Sequence, residues 1–464
     1  MRLIGTRDFY KKIMKVAVPI MIQNGITNFV SMLDNIMVGR VGTDAMSGVS
    51  IVNQLFFVYV LCLFGATAGI GIFTAQFSGK GDNEGVKYTM RIKLVVSLVL
   101  ALIWIAVFVF FGQELIRLWL QGESGSGNIE NTLLSARRYM LVSLFQIPPM
   151  ALSMSYAGTL RESGETILPM KAGVAAVILN LIGNYVLIYG KFGAPALGVV
   201  GAALATVISR FVEAFIEIYW THTHVRRNPF VTGLYESLFV PADLVKNIAL
   251  KSSPVLLNEF LWSGGMTMLN QQYSLMGLEV VAALNISSTV SNVFNIVFIA
   301  MGESTAIILG QELGMKKNDK AVILEKAHQL TFFSVSACIL SGAALFAVSP
   351  YFPLIYNTSD TIRALATGFM RISAVFMPIY AYENTTYFTL RSGGRTWITF
   401  LFDSAFIWVV SIPALYVLVR FSGLTILQVF ACVQLMDIIK CCIGFIMVRK
   451  GIWINDLTEY VSDH

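Results

Sequence analysis

Long apolar runs separated by short polar turns extend along the whole chain. Twelve of these runs are long enough to cross a bilayer, because a transmembrane helix needs about 20 mostly apolar residues. They cover residues 12–38, 45–76, 88–111, 133–158, 166–190, 197–221, 246–274, 280–313, 321–348, 362–390, 396–419 and 424–448. The pattern predicts an all-α polytopic membrane protein with twelve transmembrane helices, several of them long enough to be tilted.

Composition supports this prediction. Of the 464 residues, 56% are hydrophobic and 13% are charged, whereas a soluble domain has about 25% charged residues. Lipid must therefore cover much of the surface, and the twelve runs leave no room for a soluble domain. The net charge of +6 does not indicate a nucleic-acid partner, because the basic residues lie in the inter-helix links. The basic N-terminal residues precede an apolar run without a small-residue cleavage site, so we expect an uncleaved first span.

The distribution of basic residues predicts the orientation. With the N-terminus inside, about 25 of the 33 Lys and Arg residues lie on inner links and ends, and 8 lie on outer ones. Cytoplasmic links of membrane proteins carry the excess of Lys and Arg. We therefore expect a multi-pass protein of the plasma membrane with both termini in the cytoplasm.

The chain repeats itself. At a shift of 235 residues several identical pairs coincide: Pro19 with Pro254, Asn35 with Asn270, Gln76 with Gln311, and Gly79 with Gly314. Further on, at a shift of 230, the pattern Thr-Leu-Arg-x-x-Gly-x-Thr of residues 159–166 recurs at 389–396. Six spans per half give both halves the same sense in the membrane, which predicts two pseudo-symmetric six-helix bundles with a cleft between them. The predicted parts are an N-terminal lobe (1–222), a cytoplasmic linker (223–245) and a C-terminal lobe (246–464).

Several classes of membrane protein are disfavoured by missing motifs. The sequence has no Gly-x-x-x-x-Gly-Lys-Ser/Thr phosphate loop, no His-Glu-x-x-His, no Gly-x-Ser-x-Gly and no channel filter sequence. We therefore expect neither an enzyme nor a bound cofactor. An ion gradient remains as the energy source for transport.

Three motifs carry a resemblance to a known family. They are residues 32–39 (MLDNIMVG), the Gln-x-x-Gly of residues 76–79, and the paired Leu-Arg-x-x-Gly-x-Thr turns. In this order and spacing they resemble the multidrug and toxic compound extrusion (MATE) family, over essentially the whole chain. The resemblance implies an antiporter that exports cationic drugs and metabolites in exchange for Na⁺ or H⁺. We expect it to act as a monomer.

Asp34 is the main candidate for ion coupling. A charged residue at bilayer depth costs at least about 2.5–3.5 kcal/mol, so it usually has a function. Asp34 follows Pro19 by fifteen positions, and a proline inside a helix removes a hydrogen bond and favours a kink. Protonation or Na⁺ binding at Asp34 would remove its charge and let a helix hinged at Pro19 repack. The alternative is an acid exposed to water at the outer end of the span. The resemblance implies an ion-coupling role for this aspartate.

Other oxygen ligands are expected near Asp34. Asn180 and Asn184 lie four residues apart and so share one helix face, and Thr206 lies on the next span. Together with Asp34 they would bind a proton or Na⁺, with Asp34 and Asn180 as candidate Na⁺ ligands. The family often has an aspartate where this chain has Asn184, which favours protons here. The alternative is that the two asparagines hydrogen-bond neighbouring helices.

Intramembrane acids are also present in the C-terminal half. Glu259, Glu303 and Glu383 are candidates for binding the cargo or a second ion, and Asn258 lies beside the first of them. The alternative for each is a buried structural hydrogen bond. For Asp403, a role in helix packing is equally well supported.

Aromatic side chains complete the candidate site. Trp262 and Tyr380 would offer cation–π contacts to an organic cation, and core or lipid-facing packing is the alternative for both.

These observations predict an H⁺- or Na⁺-coupled antiporter that exports amphipathic organic cations by alternating access. One alternative is a lipid-linked oligosaccharide flippase, which would favour basic residues in the cleft, here Arg137, Arg138 and Arg371. Another is a non-transporting receptor, which would need a signalling domain. The predicted partners are small organic cations and the lipid bilayer.

Overall fold

A computed structural model describes residues 3–120, 129–315 and 319–458. These residues form helices and connecting turns, without a strand. The twelve helical segments are α1 (Arg7–Gly39), α2 (Thr43–Lys80), α3 (Asn83–Leu120), α4 (Ile129–Glu162), α5 (Ile167–Tyr189), α6 (Val199–Thr223), α7 (Ala242–Ser274), α8 (Leu278–Gly314), α9 (Lys320–Val348), α10 (Asp360–Ser392), α11 (Thr396–Phe421) and α12 (Ile426–Arg449). Each contains most of one apolar run, so the prediction of an all-α polytopic fold is confirmed.

The twelve helices differ in hydropathy. In the described ranges, eleven are long and apolar enough to cross one, and α7 is not among these eleven. Helix α7 has 33 residues and is therefore about 50 Å long at 1.5 Å per residue. Length does not exclude it from spanning a bilayer. Its polar side chains, which include Asn258, Glu259 and Gln271, lower its hydropathy.

Helix α4 is interrupted near its middle. It consists of Ile129–Ser143, a 3₁₀ turn at Leu144–Gln146, and Ile147–Glu162. Pro148 and Pro149 explain the interruption, because proline lacks an N–H group and suits the first turn of a helix. The equivalent proline of the second repeat, Pro378, lies inside the continuous helix α10.

Helix α11 contains two wide turns. Its regular parts, Thr396–Phe400 and Ile412–Phe421, flank π-helical turns at Leu401–Ala405 and Ile407–Ser411. Such turns are rare and frequently occur at functional sites. One of the candidate acids, Asp403, lies on the first wide turn.

The chain divides into two compact units. The first comprises Met1–Met21, Ala75–Gly81 and Asn247–His464, and the second comprises Ile22–Thr74 and Asp82–Lys246. The units follow the two sequence repeats, except that the first parts of α1 and the last part of α2 belong to the first unit. The division within α1 falls two residues after Pro19, which is buried. The hinge at Pro19 stays a prediction.

Each unit has its own apolar core. In the second unit, Tyr59, Ile116, Ala136 and Ile147 are almost completely inaccessible to solvent. In the first unit, side chains from the start of α1 pack with those of α8, α9 and α10 around the buried Trp453. Because lipid tails are as apolar as these side chains, the cores stabilise the fold through van der Waals packing and not through removal from water.

The repeated Gln-x-x-Gly motif forms a joint within the first unit. A Cβ atom on Gly79 would lie 2.6 Å from Cα of Gln311, and one on Gly314 would lie 3.1 Å from Cα of Gln76. These two glycines therefore allow the ends of α2 and α8 to touch backbone to backbone. Each motif supplies the glycine for one contact and the glutamine for the other.

The side chain of Gln76 fixes this joint to neighbouring segments. Its Nε2 atom donates to the carbonyl oxygens of Ser392 at 2.9 Å and Asn455 at 3.2 Å. Its Oε1 atom accepts from the backbone N–H of Leu457 at 2.7 Å. The motif that contributed to the family resemblance is thus a structural element of the first unit.

The linker after α6 is bound to the second unit. The guanidinium of Arg91, on α3, donates to the backbone carbonyls of Leu234 at 2.9 Å, Phe239 at 2.9 Å and Gly233 at 2.7 Å. A planar guanidinium can reach three acceptors in this way, whereas an ammonium group presents a single point charge. Arg91 therefore fixes this part of the linker to α3.

Candidate functional site

Asp34 lies in a cluster of neutral polar side chains in the second unit. The Nδ2 atom of Asn184 donates to Oδ1 of Asp34 at 2.7 Å and to Oδ1 of Asn180 at 3.1 Å. Asn180 in turn donates to the hydroxyl of Thr206 at 3.1 Å. The structure thus brings together all four residues for which the sequence predicts cation coupling, from α1, α5 and α6. Their role in coupling stays a prediction.

The amide of Asn180 has a second orientation that satisfies its surroundings better. In that orientation its nitrogen lies 3.0 Å from Oδ2 and 3.2 Å from Oδ1 of Asp34, and its oxygen accepts from the Thr206 hydroxyl at 3.1 Å. Amide orientations are assigned from such hydrogen bonds. In either orientation Asn180 bridges Thr206 and the surroundings of Asp34.

Burial and charge define what this cluster can bind. Asn184 is 1% exposed and its Oδ1 atom, although buried, has no hydrogen-bond partner. Asp34 is half-buried and takes part in none of the ion pairs of the described ranges. One carboxylate with neutral oxygens, including an unused amide oxygen, fits a proton or a hard monovalent cation such as Na⁺. Across the part of the chain that is described, no three His, Cys, Asp or Glu side chains meet as a metal site.

Glu259 faces a basic partner in the first unit. Its Oε1 atom lies 3.8 Å from Nη1 of Arg391, whose side chain is 4% exposed. The guanidinium also lies over the ring of Phe388, 5.5 Å from its centroid, and 5.9 Å from that of Tyr387. The charge of Glu259 is therefore balanced by a buried cation.

Asn258 holds α7 against the first wide turn of α11. Its Nδ2 atom donates to Oδ2 of Asp403 at 2.9 Å and to the hydroxyl of Tyr387 at 3.2 Å. Its side-chain oxygen accepts from the hydroxyl of Ser404 at 2.8 Å. The wide turn places Asp403 and Ser404 within hydrogen-bonding distance of the same amide. This geometry agrees with a role for Asp403 in helix packing.

Glu383 shares a lysine with a second acid. The Nζ atom of Lys440 lies 2.5 Å from Oε1 of Glu383 and 3.0 Å from Oδ1 of Asp437. The sequence predicts only the Asp437 pair, because those residues lie three apart on α12. The partner of Glu383 lies 57 positions away on another helix, and no local pattern indicates it.

Three predicted residues remain, Glu303, Tyr380 and Trp262. Glu303 is half-buried on α8. Tyr380 packs between aromatic rings, with its centroid 6.2 Å from that of Phe298 and 6.5 Å from that of Phe376. Trp262 is 37% exposed on α7. Their roles in cargo binding stay predictions.

A further buried ion pair lies in the second unit, at a lysine that the sequence analysis does not single out. Lys93 on α3 is completely buried and pairs with Glu162 at the end of α4, in the second unit. A lysine inside the apolar run 88–111 is the signal that could have identified it, because basic residues within spans usually have an acidic partner.

A helical membrane protein with two repeated halves and carboxylates inside its spans has the organisation of a transporter. The chain belongs to the MatE family, whose model matches residues 19–186 and 254–417. The family prediction is thereby confirmed, and the two matched segments coincide with the two repeats.

Curated relatives cover nearly the whole chain. The probable multidrug resistance protein NorM of Thermotoga maritima is 27% identical over 459 residues, which are 96% of this chain and 93% of the relative. The multidrug resistance protein NorM of Vibrio cholerae is 25% identical over 425 residues, 90% of each chain. These relatives are named as resistance proteins of a transporter family, so the prediction that the chain is not an enzyme is confirmed.

Solved structures share the fold. An outward-facing multidrug resistance MATE family transporter of the MOP superfamily superposes with a TM-score of 0.85 at 20% identity, covering 97% of this chain and 96% of the other. A MOP superfamily transporter from Pyrococcus furiosus, described as having a binding pocket of reversed polarity, gives 0.83 at 18% identity with the same coverage. The family match, the relatives and the apolar helices together show that the protein is a multi-pass membrane transporter.

Proposed function

We propose that this protein is an antiporter, driven by H⁺ or Na⁺, that exports amphipathic organic cations by alternating access. The observation that carries the proposal is the environment of Asp34, whose carboxylate is bonded to the Asn184 amide and not to a permanent cation. Glu259 and Glu383, in contrast, face Arg391 and Lys440. A carboxylate surrounded by neutral groups can gain and lose a cation without breaking an ion pair.

Coupling would follow from the charge of Asp34. When a proton or Na⁺ is bound, the charge of the carboxylate is neutralised. The Asn184 and Asn180 amides then form only ordinary hydrogen bonds with it. When the ion leaves, the anionic carboxylate draws these donors towards itself, because charged acceptors form the stronger hydrogen bonds. Pro19 leaves one backbone carbonyl of α1 without its helical partner, which lets the helix bend in response.

A proton is the simpler ligand for this cluster. It needs a single acceptor oxygen on Asp34, with Asn184 and Asn180 to orient the carboxyl group. Na⁺ would be held by Asp34 and Asn180, with the free oxygen of Asn184 and the hydroxyl of Thr206 completing the set, and would supply one positive charge. An asparagine instead of an acid at position 184 gives the site one carboxylate and not two, so it attracts Na⁺ less strongly than a site with two acids would.

The cargo proposal rests on the C-terminal half and on the relatives. Glu259, Glu303 and Glu383 provide negative charge, and Tyr380 and Trp262 provide aromatic surface that attracts organic cations. A cationic cargo would compete with Arg391 and Lys440 for the first and third of these acids. The relatives named as multidrug resistance proteins support a cargo of this class.

We further propose that the two lobes, residues 1–222 and 246–464, rock about the linker 223–245 as a monomer in the plasma membrane, with both termini in the cytoplasm. The uneven distribution of Lys and Arg residues between alternate links supports this orientation.

The proposal is tested with purified protein in liposomes loaded with a fluorescent organic cation. We expect an imposed pH gradient or Na⁺ gradient to drive dye transport by the wild type. Asp34→Asn should abolish gradient-driven transport while the protein still folds, as judged by size-exclusion chromatography. Asp360→Asn is the matched control, because that side chain is 97% exposed. Full activity of Asp34→Asn under both gradients would disprove coupling at this residue.

A further inference from the structure

Glu217 is a buried acid outside the Asp34 cluster. It lies on α6 six residues before the end of the helix at Thr223, within the second unit. Its side chain is 0% exposed, and neither Oε1 nor Oε2 has a hydrogen-bond partner among the residues that the structure describes. Thr206, which belongs to the Asp34 cluster, lies eleven residues earlier on the same helix, so about 16 Å of helix separates the two positions.

Charged groups surround Glu217 without bonding to it. Glu213 lies one turn earlier on α6, and the charges of Arg210 and of Arg161, on α4, also act on Glu217. Arg210 is already paired with Glu213 at 2.7 Å, and Arg161 donates to Oε1 of Gln23 at 2.6 Å. The hydroxyl of Ser153, also on α4, lies near the carboxyl group.

An ionised carboxylate in this position would be very unfavourable. A buried charge needs an ion pair or several hydrogen bonds to replace its lost hydration, and a group without them usually becomes neutral instead. The neighbouring acid Glu213 adds like-charge repulsion. A neutral carboxyl group avoids both costs.

We infer that Glu217 carries a proton in this conformation and is a second proton-binding site of the transporter, distinct from Asp34. The inference rests on the proposed function in one respect, namely that the proton is exchanged during transport. On uptake an Oε–H bond forms and a hydronium ion becomes water. Release reverses this step when water gains access to the inner half of α6.

The surroundings fit a proton and not Na⁺. Na⁺ needs several oxygen ligands, whereas among the described residues the interactions of the Glu217 carboxyl group include one neutral oxygen, the Ser153 hydroxyl. The guanidinium groups of Arg161 and Arg210 would repel a metal cation. A proton needs one oxygen of Glu217 and no further ligand.

The protonation state can be measured directly by infrared spectroscopy on the full-length protein at neutral pH. We expect the wild type to show the C=O stretching band of a protonated carboxyl group that Glu217→Gln lacks and Glu217→Asp retains at a shifted position. Glu114→Gln is the matched control and should leave the band unchanged, because Glu114 is 66% exposed. Identical carboxyl bands in the wild type and Glu217→Gln would overturn the inference. Asp34→Asn should retain the Glu217 band, which separates the two sites.

The exchange of this proton is measured in liposomes with the membrane potential clamped at zero and a pH difference of about one unit. Each coupled proton then raises the limiting concentration ratio of the cargo tenfold, since one pH unit is equivalent to a tenfold equilibrium factor. Glu217→Gln should reach a ratio about tenfold lower than the wild type, and Glu217→Asp should restore it.

The two measurements separate the inference from the proposed function. If Glu217→Gln reaches the same limiting cargo ratio as the wild type, the proton at Glu217 is bound but not exchanged during transport. That result would overturn the coupling role. If no gradient drives transport by the wild type, the proposed function fails. The infrared band still decides whether Glu217 holds a proton.

Discussion

The side-chain amide of Asn184 donates a hydrogen bond of 2.7 Å to the carboxylate of Asp34, 150 positions earlier in the chain. This bond joins α5 to α1 at the only charged side chain of the cluster. The identity of residue 184 therefore determines whether one or two negative charges are available to a bound cation.

Asn184→Asp should make the protein respond to Na⁺. A second carboxylate next to Asp34 replaces a neutral amide by a charged oxygen ligand and so strengthens the Coulomb attraction for Na⁺. At a Na⁺ concentration of ten times the dissociation constant, binding stabilises the folded protein by about 1.4 kcal/mol. The melting temperature in NaCl relative to KCl measures this effect, with the wild type as control. An equal response of both proteins to Na⁺ would contradict this view of residue 184.

Lys440→Ala should strongly destabilise the first unit. It leaves Glu383 and Asp437 without their shared partner, and breaking a buried ion pair from one side costs roughly 3–5 kcal/mol. The triple variant Lys440→Met, Glu383→Gln, Asp437→Asn removes all three charges and should recover most of that loss. Thermal unfolding in detergent compares the two, with Lys450→Ala, at an exposed position, as control. A triple variant no more stable than Lys440→Ala would show that packing, not charge, is responsible.

Gly79→Ala and Gly314→Ala should each destabilise the protein. The added Cβ atom on Gly79 would lie 2.6 Å from Cα of Gln311, so α2 and α8 would have to separate. Gly158→Ala is the matched control, because its Cβ atom would have no neighbour closer than 3.8 Å, and alanine improves helix propensity by about 1 kcal/mol. The melting temperature should fall for the first two variants and not for the third. An equal change in melting temperature in all three variants would rule out the close approach.

Arg91→Ala should release the linker from α3. Three backbone carbonyls lose their donor together. The linker backbone around the exposed side chains of Tyr235 and Phe239 can then enter the active site of chymotrypsin. Limited proteolysis should give faster cleavage between the two halves of the chain. Arg227→Ala, at an exposed linker position, should be cleaved like the wild type. Equal cleavage of Arg91→Ala and the wild type would mean that other contacts hold the linker on α3.

Helix positions were predictable because they depend on short-range signals, and the members of the Asp34 cluster because polar side chains within apolar spans are unusual and usually have a function. The apolar runs define the spans, and the four-residue spacing of Asn180 and Asn184 places both amides on one face. The wide turns of α11 could not be predicted, since the run 396–419 is uniformly apolar and does not indicate where the helix widens. The break in α4 could have been inferred from Pro148 and Pro149, but the single Pro378 at the equivalent place interrupts nothing.

The basic partners of the C-terminal acids Glu259 and Glu383 were not predictable. Arg391 was identified only as part of a turn motif, and its contact with Glu259 joins two helices 132 positions apart in the sequence. The buried acid Glu217 was overlooked because it lies close to the end of its run, where an acid normally reaches water. Only packing shows that its oxygens are enclosed.

The joint between Gly79, Gln76, Gln311 and Gly314 has the form of an isologous interface, in which one patch binds a copy of itself. A six-helix ancestor carrying a single Gln-x-x-Gly motif could therefore have formed this contact as a symmetric homodimer before its gene was duplicated. Fusion of two such copies would let each half diverge elsewhere, while the self-complementary patch would hold both motifs to the same sequence.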